Sequence, residues 1–421
     1  MTFKAFTSLL TPAEARAAYA AVLRVAPRGS EPTPLVSALD RVLARDVVSG
    51  LDLPPFDRSA VDGWAVRAAD VSAASQDRPA RLTVIGEVRM GAPASVAVAP
   101  GSAVRIPTGG MLPSGADAIV MQEQTDLDGT TVRVQRAVRS GENIVTRGAD
   151  VRAGDVVLRR GRRLRPADLG ILSGVGMTDV EVFLPPRVAI LGTGDEVVGP
   201  GQPLVPGRVR DMNGVALAGA VQAAGGNPTF LGIVPDERPA VEAALRRAVA
   251  NCEMVLISGG SSVGERDVVA EAIAALGPPG IIVHGIAVRP GKPTVLAVAG
   301  TVPVVGLPGN PVSALVIFDL FARPVLEQML GIDPAGRRWG IVRARLAAPL
   351  PAAGAREDHR RVRLESRGDG IWAVPLPAGS QILSSLTRAD GIVVVPPAKP
   401  GAAPAGFAGF AEGEDVEVRL L

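Results

Sequence analysis

The chain has few of the residues that build disulfide frameworks and histidine metal centres. Its 421 residues include one cysteine, Cys252, and two histidines, His284 and His359. One cysteine excludes an internal disulfide framework and any cysteine-rich zinc site, and two histidines exclude a metal cluster built from histidine. We expect Cys252 to be a buried small hydrophobic residue, and His284, within an apolar strand run, to be a core residue.

Aromatic residues, an excess of one charge and long apolar runs are also scarce. Aromatics make up 3% of the chain, so its cores must use alanine, valine and leucine. The 44 basic and 42 acidic residues nearly balance and no basic tract occurs, which argues against nucleic acid as a partner. The most apolar helix candidate, 311–330, carries Asp319, Arg323 and Glu327 at four-residue spacing, so it is amphipathic and not a membrane span. Without a signal-peptide pattern near residue 1, we expect a cytoplasmic protein with no membrane partner.

The order of patterns along the chain predicts several domains. A composition of 47% hydrophobic and 20% charged residues indicates a folded protein, and its length favours two to four domains. Residues 11–26 predict a helix with Thr11 as N-cap and Pro12 and Glu14 in the first turn; residues 35–43 are helical or extended. Short alternating runs follow, and Asp128-Gly129 between two of them indicates a hairpin.

The second half changes from a strand–helix alternation to strands alone. Five apolar strand runs between 187 and 307 enclose helical patterns at 214–224, 238–249 and 267–276, which predicts an α/β domain with a parallel, doubly wound sheet. Short strand runs after 337 predict a small C-terminal β-barrel-like domain. The predicted boundaries are a discontinuous N-terminal linking domain with helical character (1–52 and 148–184), an inserted small β domain (53–147), the α/β domain (185–332) and the β domain (337–421).

Two strand-to-helix junctions in the α/β region break into glycine. They are MVLISGGSSVGERD at 254–267 and VVGLPGNPVSALVIF at 304–318. Such junctions leave backbone N–H groups without an intrachain partner and suit an anion. The alternative is that both are only tight connections. As binding residues the pair offers Gly259, Gly260, Ser261, Ser262, Gly264, Pro308, Gly309, Asn310 and Pro311.

Carboxylates accompany these junctions. Glu196, Asp236 and Asp267 follow strands of the α/β domain, where open parallel sheets bind ligands. Three acids beside an anion site make sense with a hard cation between them, and Mg²⁺ held by carboxylates and phosphate oxygens fits. Helix capping is the alternative for Asp236 and Asp267.

A second polar constellation lies in the first half. Asp57 and Asp62 surround a turn in 54–66, Thr108 lies in the glycine-rich segment 105–120, and Glu142 and Asp150 lie in 141–151. From their residues alone these segments are turns or functional loops, and the alternatives stay open.

Eight segments occur along the chain in a characteristic order. They are FDRSAVDGWA, RIPTGGMLPSGADAIV, GENIVTRGADV, GTGDE, SGGSSVGERD, VRPGKP, GLPGNPVSA and SQILSSLTRADG. Together they resemble one family, the molybdopterin molybdenumtransferases, or MoeA proteins, with the related gephyrin E-domains, and the resemblance spans almost the whole chain. It implies an elongated homodimer of four domains, with an α/β domain like molybdopterin adenylyltransferase.

The resemblance also implies the reaction and its residues. Molybdate would be inserted into adenylylated molybdopterin, with Mg²⁺-dependent release of AMP and formation of molybdenum cofactor. Molybdopterin adenylyltransferase and apo-molybdoenzymes are the further partners implied. By position, the family's functional residues fall on Asp62, Thr108, Asp150, Glu196, Asp236, Asp267, Pro308 and Pro311, and Arg289 and Lys292 supply positive charge for the anion.

The chain departs from the family pattern where basic residues are usual. Gly285 and Arg289 stand where many members carry lysine, and Val145 where some carry arginine. These departures leave open a paralogue that prefers tungstate. Adenylyl transfer by the α/β domain and a non-catalytic dimeric scaffold are the competing functions.

Overall fold

The computed structural model describes residues 9–259, 267–333, 340–398 and 408–421. By its internal contacts the chain divides into two compact units. The first comprises residues 1–31, 40–44 and 182–421, and the second comprises residues 32–39 and 45–181. The four-domain boundaries predicted above are finer than this division and stay a prediction.

A six-stranded sheet forms the centre of the first unit. Its first four strands in spatial order run parallel, and the other two run antiparallel to their neighbours. The strand Val295–Ala299, which is antiparallel to both of its neighbours, departs from the predicted parallel sheet. It is joined to Val302–Leu307 by only two residues, and such a turn reverses the chain. The strands in order are Asn227–Val234, Arg187–Thr193, Met254–Ser258, Val302–Leu307, Val295–Ala299 and Pro279–His284.

Helices cover both faces of this sheet, because alternate strand residues point to opposite sides. Val188 and Ile190 face one core with the helices Asn213–Ala224, Pro311–Ile317 and Arg323–Met329. Residues 318–322, between the last two helices, form a π-helical turn. The neighbouring positions of the same strand, Ala189 and Leu191, face a second core with the helices Arg238–Asn251 and Val268–Ala274, where Cys252 is buried as expected.

The helix Pro12–Val22 packs on the first of these cores. Its predicted start is confirmed, since Thr11 and Glu14 form a reciprocal capping box, although the helix ends four residues before the predicted 26. Tyr19 is buried, and its hydroxyl donates to the carbonyl of Ala297 at 3.2 Å. Burial raises the pKa of Tyr19 far above its ordinary value.

Five strands at the C-terminus close into a barrel, which confirms the predicted β domain. Each strand pairs with the next and the last pairs with the first. The short strand Val288–Arg289 of the α/β region pairs in parallel with the first two residues of the barrel strand Glu357–Arg367. The barrel strands in order are Glu357–Arg367, Gly370–Pro375, Ile341–Leu346, Asp415–Leu420 and Gly391–Val395.

The second unit contains another six-stranded sheet and the helix Pro166–Gly174. The hairpin predicted at Asp128-Gly129 is present, and Gly129 takes the positive φ of 59° that the turn requires. The segment 35–43, left open above, begins with a 3₁₀ turn at Leu35–Ser37. The strands in order are Ala118–Met121, Gly63–Val66, Ser102–Ile106, Ala80–Glu87, Thr131–Val134 and Thr125–Asp128.

Short elements complete the described chain. No helix within the described ranges is long and apolar enough to cross a membrane. The short strands are Ser30–Pro34, Val47–Val48, Arg58–Ser59, Ile144–Val145, Val156–Leu158, Asp179–Phe183, Val197–Val198, Val209–Arg210, Leu350–Pro351 and Gly409–Phe410, and the short helical turns are Ala68–Val71, Gln122–Gln124 and Ser384–Thr387.

Candidate active site

A cavity of about 440 Å³ opens at the carboxyl ends of three parallel strands, Arg187–Thr193, Met254–Ser258 and Val302–Leu307. This is the edge at which open α/β sheets bind ligands. Its wall contains polar groups and prolines from several post-strand loops. Its lining residues include Thr193, Glu196, Arg210, Asp211, Asn213, Gly259, Pro308, Gly309, Asn310, Pro311 and Gln381.

The second glycine junction lies in this wall as predicted. Pro308, Gly309, Asn310 and Pro311 all line the cavity, and the helix begins at Pro311, whose missing N–H costs no hydrogen bond there. The N–H of Val312 donates to the carbonyl of Ser380 at 3.2 Å. The C-terminal region therefore contacts the start of this helix, and its Gln381 reaches the cavity wall.

The first glycine junction reaches the same cavity through Gly259. Its φ is +108°, and a Cβ at this position would lie 2.0 Å from the carbonyl oxygen of Thr193. Only glycine fits, so the backbone of the two loops can approach closely. The predicted binding residues Gly260, Ser261, Ser262 and Gly264 lie outside the described residues.

The three predicted metal carboxylates have different surroundings. Glu196 lines the cavity. Asp236 accepts a hydrogen bond from the hydroxyl of Thr193 through Oδ1, and its own N–H donates to Asp195 at 3.2 Å. Asp267 caps the helix Val268–Ala274, accepting from Ala270 N at 3.0 Å.

Asp267 has a second partner in one of the two histidines. Its Oδ2 lies 3.3 Å from Nε2 of His284, so His284 makes a polar contact that its apolar strand context did not predict. In the described ranges no group of three or more histidine, cysteine, aspartate or glutamate side chains is arranged to hold a metal ion. Protein carboxylates alone therefore form no closed metal cage there.

Of the two predicted cations in VRPGKP, Arg289 lies beside the barrel. Nη1 of Arg289 is 3.8 Å from Oδ2 of Asp358, and the backbone carbonyl of Lys292 accepts from Ile286 N at 3.0 Å. Neither side chain lines the cavity, although the adjacent Pro293 does. Arg210 is a cavity arginine that sequence reasoning missed.

In the second unit the structure brings Asp62 and Thr108 together. Oδ1 of Asp62 accepts from the backbone N–H of Thr108 at 2.8 Å, across 46 positions of sequence. Asp150 is anchored through its backbone, which donates to the carbonyl of Leu53 at 3.0 Å.

Asp57 joins the loops of this unit. Its Oδ1 accepts from Arg147 N at 2.7 Å, and its carbonyl accepts from Leu112 N at 2.8 Å. The segments around 57, 112 and 147 therefore form one hydrogen-bonded cluster, in agreement with their grouping as a polar constellation.

Sequence reasoning missed Asp211 and Asn213, which lie in the cavity wall at the start of a predicted helix. The signal was partial, because DMNG directly precedes a helical pattern but the segment before it, 201–210, is not an apolar strand run like those of the two glycine junctions. Gln381 lies in the family-like segment SQILSSLTRADG, but no strand-to-helix pattern marks it, and folding brings it to the wall from a different region of the chain.

Three family patterns match successive parts of the chain. Residues 10–176 match the MoeA N-terminal region (domain I and II), residues 189–328 match a probable molybdopterin binding domain, and residues 343–421 match the MoeA C-terminal region (domain IV). Fold and site thus define a multidomain protein of the molybdenum-cofactor biosynthesis class.

Whole-chain relatives agree with these matches. A molybdopterin molybdenumtransferase of Nostoc is 36% identical over 86% of this chain and 84% of its own, and one of Bacillus subtilis is 31% identical over 92% and 89%. A solved structure of a molybdopterin biosynthesis MoeA protein from Pyrococcus horikoshii is 32% identical, covers 98% of this chain and 100% of its own, and has a TM-score of 0.83. The chain belongs to the molybdopterin molybdenumtransferase family, and the resemblance stated from its motifs is confirmed.

Proposed function

We propose that the protein inserts molybdenum from molybdate into adenylylated molybdopterin and releases AMP as molybdenum cofactor forms. The observation that carries the proposal is the cavity itself, where Gly259, the turn 308–311 and Glu196 meet at the carboxyl edge of the sheet. Membership of the family supports it.

The cavity suits a small anionic substrate. Its volume of about 440 Å³ lies within the usual range of small-molecule sites, roughly 300–1,000 Å³. Gly259 and Gly309 let the backbone approach phosphate or molybdate oxygens, and Arg210 adds positive charge to the wall. We assign Arg289 and Lys292 to attraction of the anion from outside the wall.

The reaction breaks one phosphoanhydride P–O bond. Water supplies the oxygen that the adenylyl phosphorus gains, the molybdopterin phosphate leaves with the bridging oxygen, and the released proton passes to solvent. Molybdenum forms two Mo–S bonds with the dithiol of molybdopterin, and the two thiol protons leave with one displaced molybdate oxygen as water. The side chains must position two anions against each other. Thr193 orients the Asp236 carboxylate for this role, and we assign Asp236 and Asp267 as catalytic residues.

Mg²⁺ fits the oxygen-only donors of this site. The described carboxylates form no three-ligand cluster, and Mg²⁺ commonly binds through one or two carboxylates together with substrate phosphates and water. Of the three predicted ligands, Glu196 lines the cavity and would hold it together with substrate phosphates and water. Asp236 and Asp267 are the other predicted ligands, and either one would complete a two-carboxylate site. When bound, Mg²⁺ would offset the negative charge on the phosphate oxygens during P–O cleavage.

The second unit also contributes to the proposal. We assign catalytic roles to Asp62, Thr108 and Asp150, supported by the hydrogen bond that joins the first two.

We further propose a homodimer that receives its substrate from molybdopterin adenylyltransferase and passes its product to apo-molybdoenzymes. Light scattering of the purified protein tests the dimer, since a mass near 43.1 kDa would contradict it.

An AMP-release assay tests the function. Adenylylated molybdopterin, Mg²⁺ and molybdate are incubated with the wild type and with Asp236→Asn, and AMP is quantified. Asp236→Asn should lower the rate by about 10²-fold or more. The exposed Asp77 lies outside the cavity, and Asp77→Asn should leave the rate unchanged. AMP release that is absent from the wild type, or equal in both variants, would refute the assignment.

Tungstate is the alternative oxyanion because of Gly285. Its φ is 89°, a conformation that favours glycine, so lysine would be strained in this backbone. The cation that many family members carry here is absent. Competition between molybdate and tungstate in the AMP-release assay decides which anion is preferred.

A further inference from the structure

Two buried side chains in the cavity wall have no role in the anion site described above. Asp211 and Asn213 are 7% and 8% exposed and lie beside each other at the start of the helix Asn213–Ala224. Oδ1 of Asp211 accepts from the N–H of Gly214 at 2.9 Å, and Nδ2 of Asn213 donates to the carbonyl of Gly309 at 2.8 Å.

Each side chain keeps one oxygen without a donor. Oδ2 of Asp211 and Oδ1 of Asn213 are buried and have no hydrogen-bond partner among the residues that the structure describes. Buried acceptors are nearly always paired in folded proteins, since an unpaired one loses its hydration without compensation. Two neighbouring exceptions in a cavity wall indicate a donor that comes from a ligand.

The two acceptors stand at a fixed place relative to the anion-binding backbone. The amide of Asn213 holds the carbonyl of Gly309, so the acceptor and the turn 308–311 are tied together across 96 positions of sequence. The turn 308–311, to which the anion is assigned above, thus lies next to the two acceptors. A ligand that satisfies both has an anionic group and, next to it, a neutral group with N–H or O–H donors.

We propose that Asp211 and Asn213 bind a hydrogen-bond-donating edge of the substrate next to its phosphate groups. The proposal rests on the function proposed above, because adenylylated molybdopterin has two such edges. One is the aminopyrimidinone of the pterin, with adjacent N–H and NH₂ groups, and the other is the nucleoside, with its ribose hydroxyls and adenine amine. Both share the donor chemistry that a carboxylate and an amide oxygen accept.

Calorimetric titration of the full-length protein tests the proposal with three probes. Inorganic pyrophosphate reports the anion site alone, AMP adds the nucleoside, and 6-hydroxymethylpterin supplies the pterin edge. In Asp211→Asn the free acceptor becomes an NH₂ donor while an acceptor for the N–H of Gly214 is kept. We expect Asp211→Asn to weaken AMP or the pterin at least tenfold and to change pyrophosphate affinity by less than twofold.

The ligand whose affinity falls in Asp211→Asn identifies which edge of the substrate the two side chains bind. Loss for the pterin alone assigns the aminopyrimidinone, and loss for AMP alone assigns the nucleoside. Unchanged affinity of Asp211→Asn for both ligands overturns the proposal, and so does a wild type that binds pyrophosphate but neither ligand. The matched control is Asn251→Ser, since Asn251 lies outside the cavity and bonds only locally to the carbonyl of Arg247.

Donor-deleted ligands keep the test decisive if Asp211→Asn does not fold. With the wild type, 6-hydroxymethyl-lumazine lacks the pterin amine, and 2′,3′-dideoxy-AMP and IMP lack the ribose hydroxyls and the adenine amine respectively. At least one deletion should weaken binding tenfold, and equal binding of every analogue and its parent overturns the proposal. A protein that discriminates in this way yet releases no AMP would refute only the proposed reaction.

Discussion

Gly259→Ala perturbs the point at which the two central loops of the cavity meet. The new Cβ would lie 2.0 Å from the Thr193 carbonyl oxygen, and φ of 108° is unfavourable for alanine. The conformational cost is about 1–2 kcal/mol, and overpacking against backbone adds about 1–3 kcal/mol. We therefore expect a loss of about 2–5 kcal/mol in the free energy of unfolding, and a Tm lower by about 5 °C or more.

The matched control lies in the same wall on the neighbouring strand, where Gly192 pairs with Ser258. Gly192 also lines the cavity, but a Cβ there would have its nearest neighbour at 3.5 Å, so Gly192→Ala should cost less than about 1 kcal/mol. Thermal and urea unfolding followed by circular dichroism measure both variants. AMP release should fall only in Gly259→Ala, because displacing Thr193 also displaces Asp236. Equal midpoints for Gly259→Ala and wild type would refute the reasoning.

Three further predictions concern single side chains. Thr193→Val removes the hydroxyl that orients Asp236 and should lower kcat about tenfold, whereas Thr193→Ser keeps the donor and should stay near wild type. Burial alone would raise the pKa of Asp168, but hydrogen bonds from Arg162 and the neighbouring backbone outweigh burial and lower that pKa. The stabilisation by the Asp168 carboxylate is therefore full above the unfolded pKa of about 4 and is lost as pH falls through the lower folded pKa. In Asp168→Asn the urea midpoint of unfolding should fall less on acidification than in the wild type. Burial raises the pKa of the Cys252 thiol, so iodoacetamide at pH 8 should modify it slowly in the native protein and rapidly in urea, and equal rates would contradict its burial.

Elements defined by local patterns were predicted closely. The capping box at Thr11, the hairpin at Asp128-Gly129 and the barrel strands each depend on a few adjacent residues, whose spacing alone indicates the structure. The strand Val295–Ala299 was missed although RPGKPT before it and Gly300-Thr301 after it mark its ends, and with it the antiparallel pairing was missed.

The cavity was predicted only in part, because its wall is assembled across long sequence separations. The turn 308–311 and Gly259 follow strands and were found by that signal. The bond from Asn213 to Gly309 and the approach of Gln381 to the wall depend on tertiary packing, which no local pattern reports. The same packing places Arg289 beside Asp358 and outside the cavity wall.

The coupling of AMP release to metal insertion tests the central claim most directly. In a single-turnover reaction with adenylylated molybdopterin, Mg²⁺ and molybdate, AMP is quantified together with the molybdenum bound to the purified pterin. Our account predicts one molybdenum inserted for each AMP released, with both products lost together in Asp236→Asn. AMP released without molybdenum insertion, or neither product from the wild type, would contradict it.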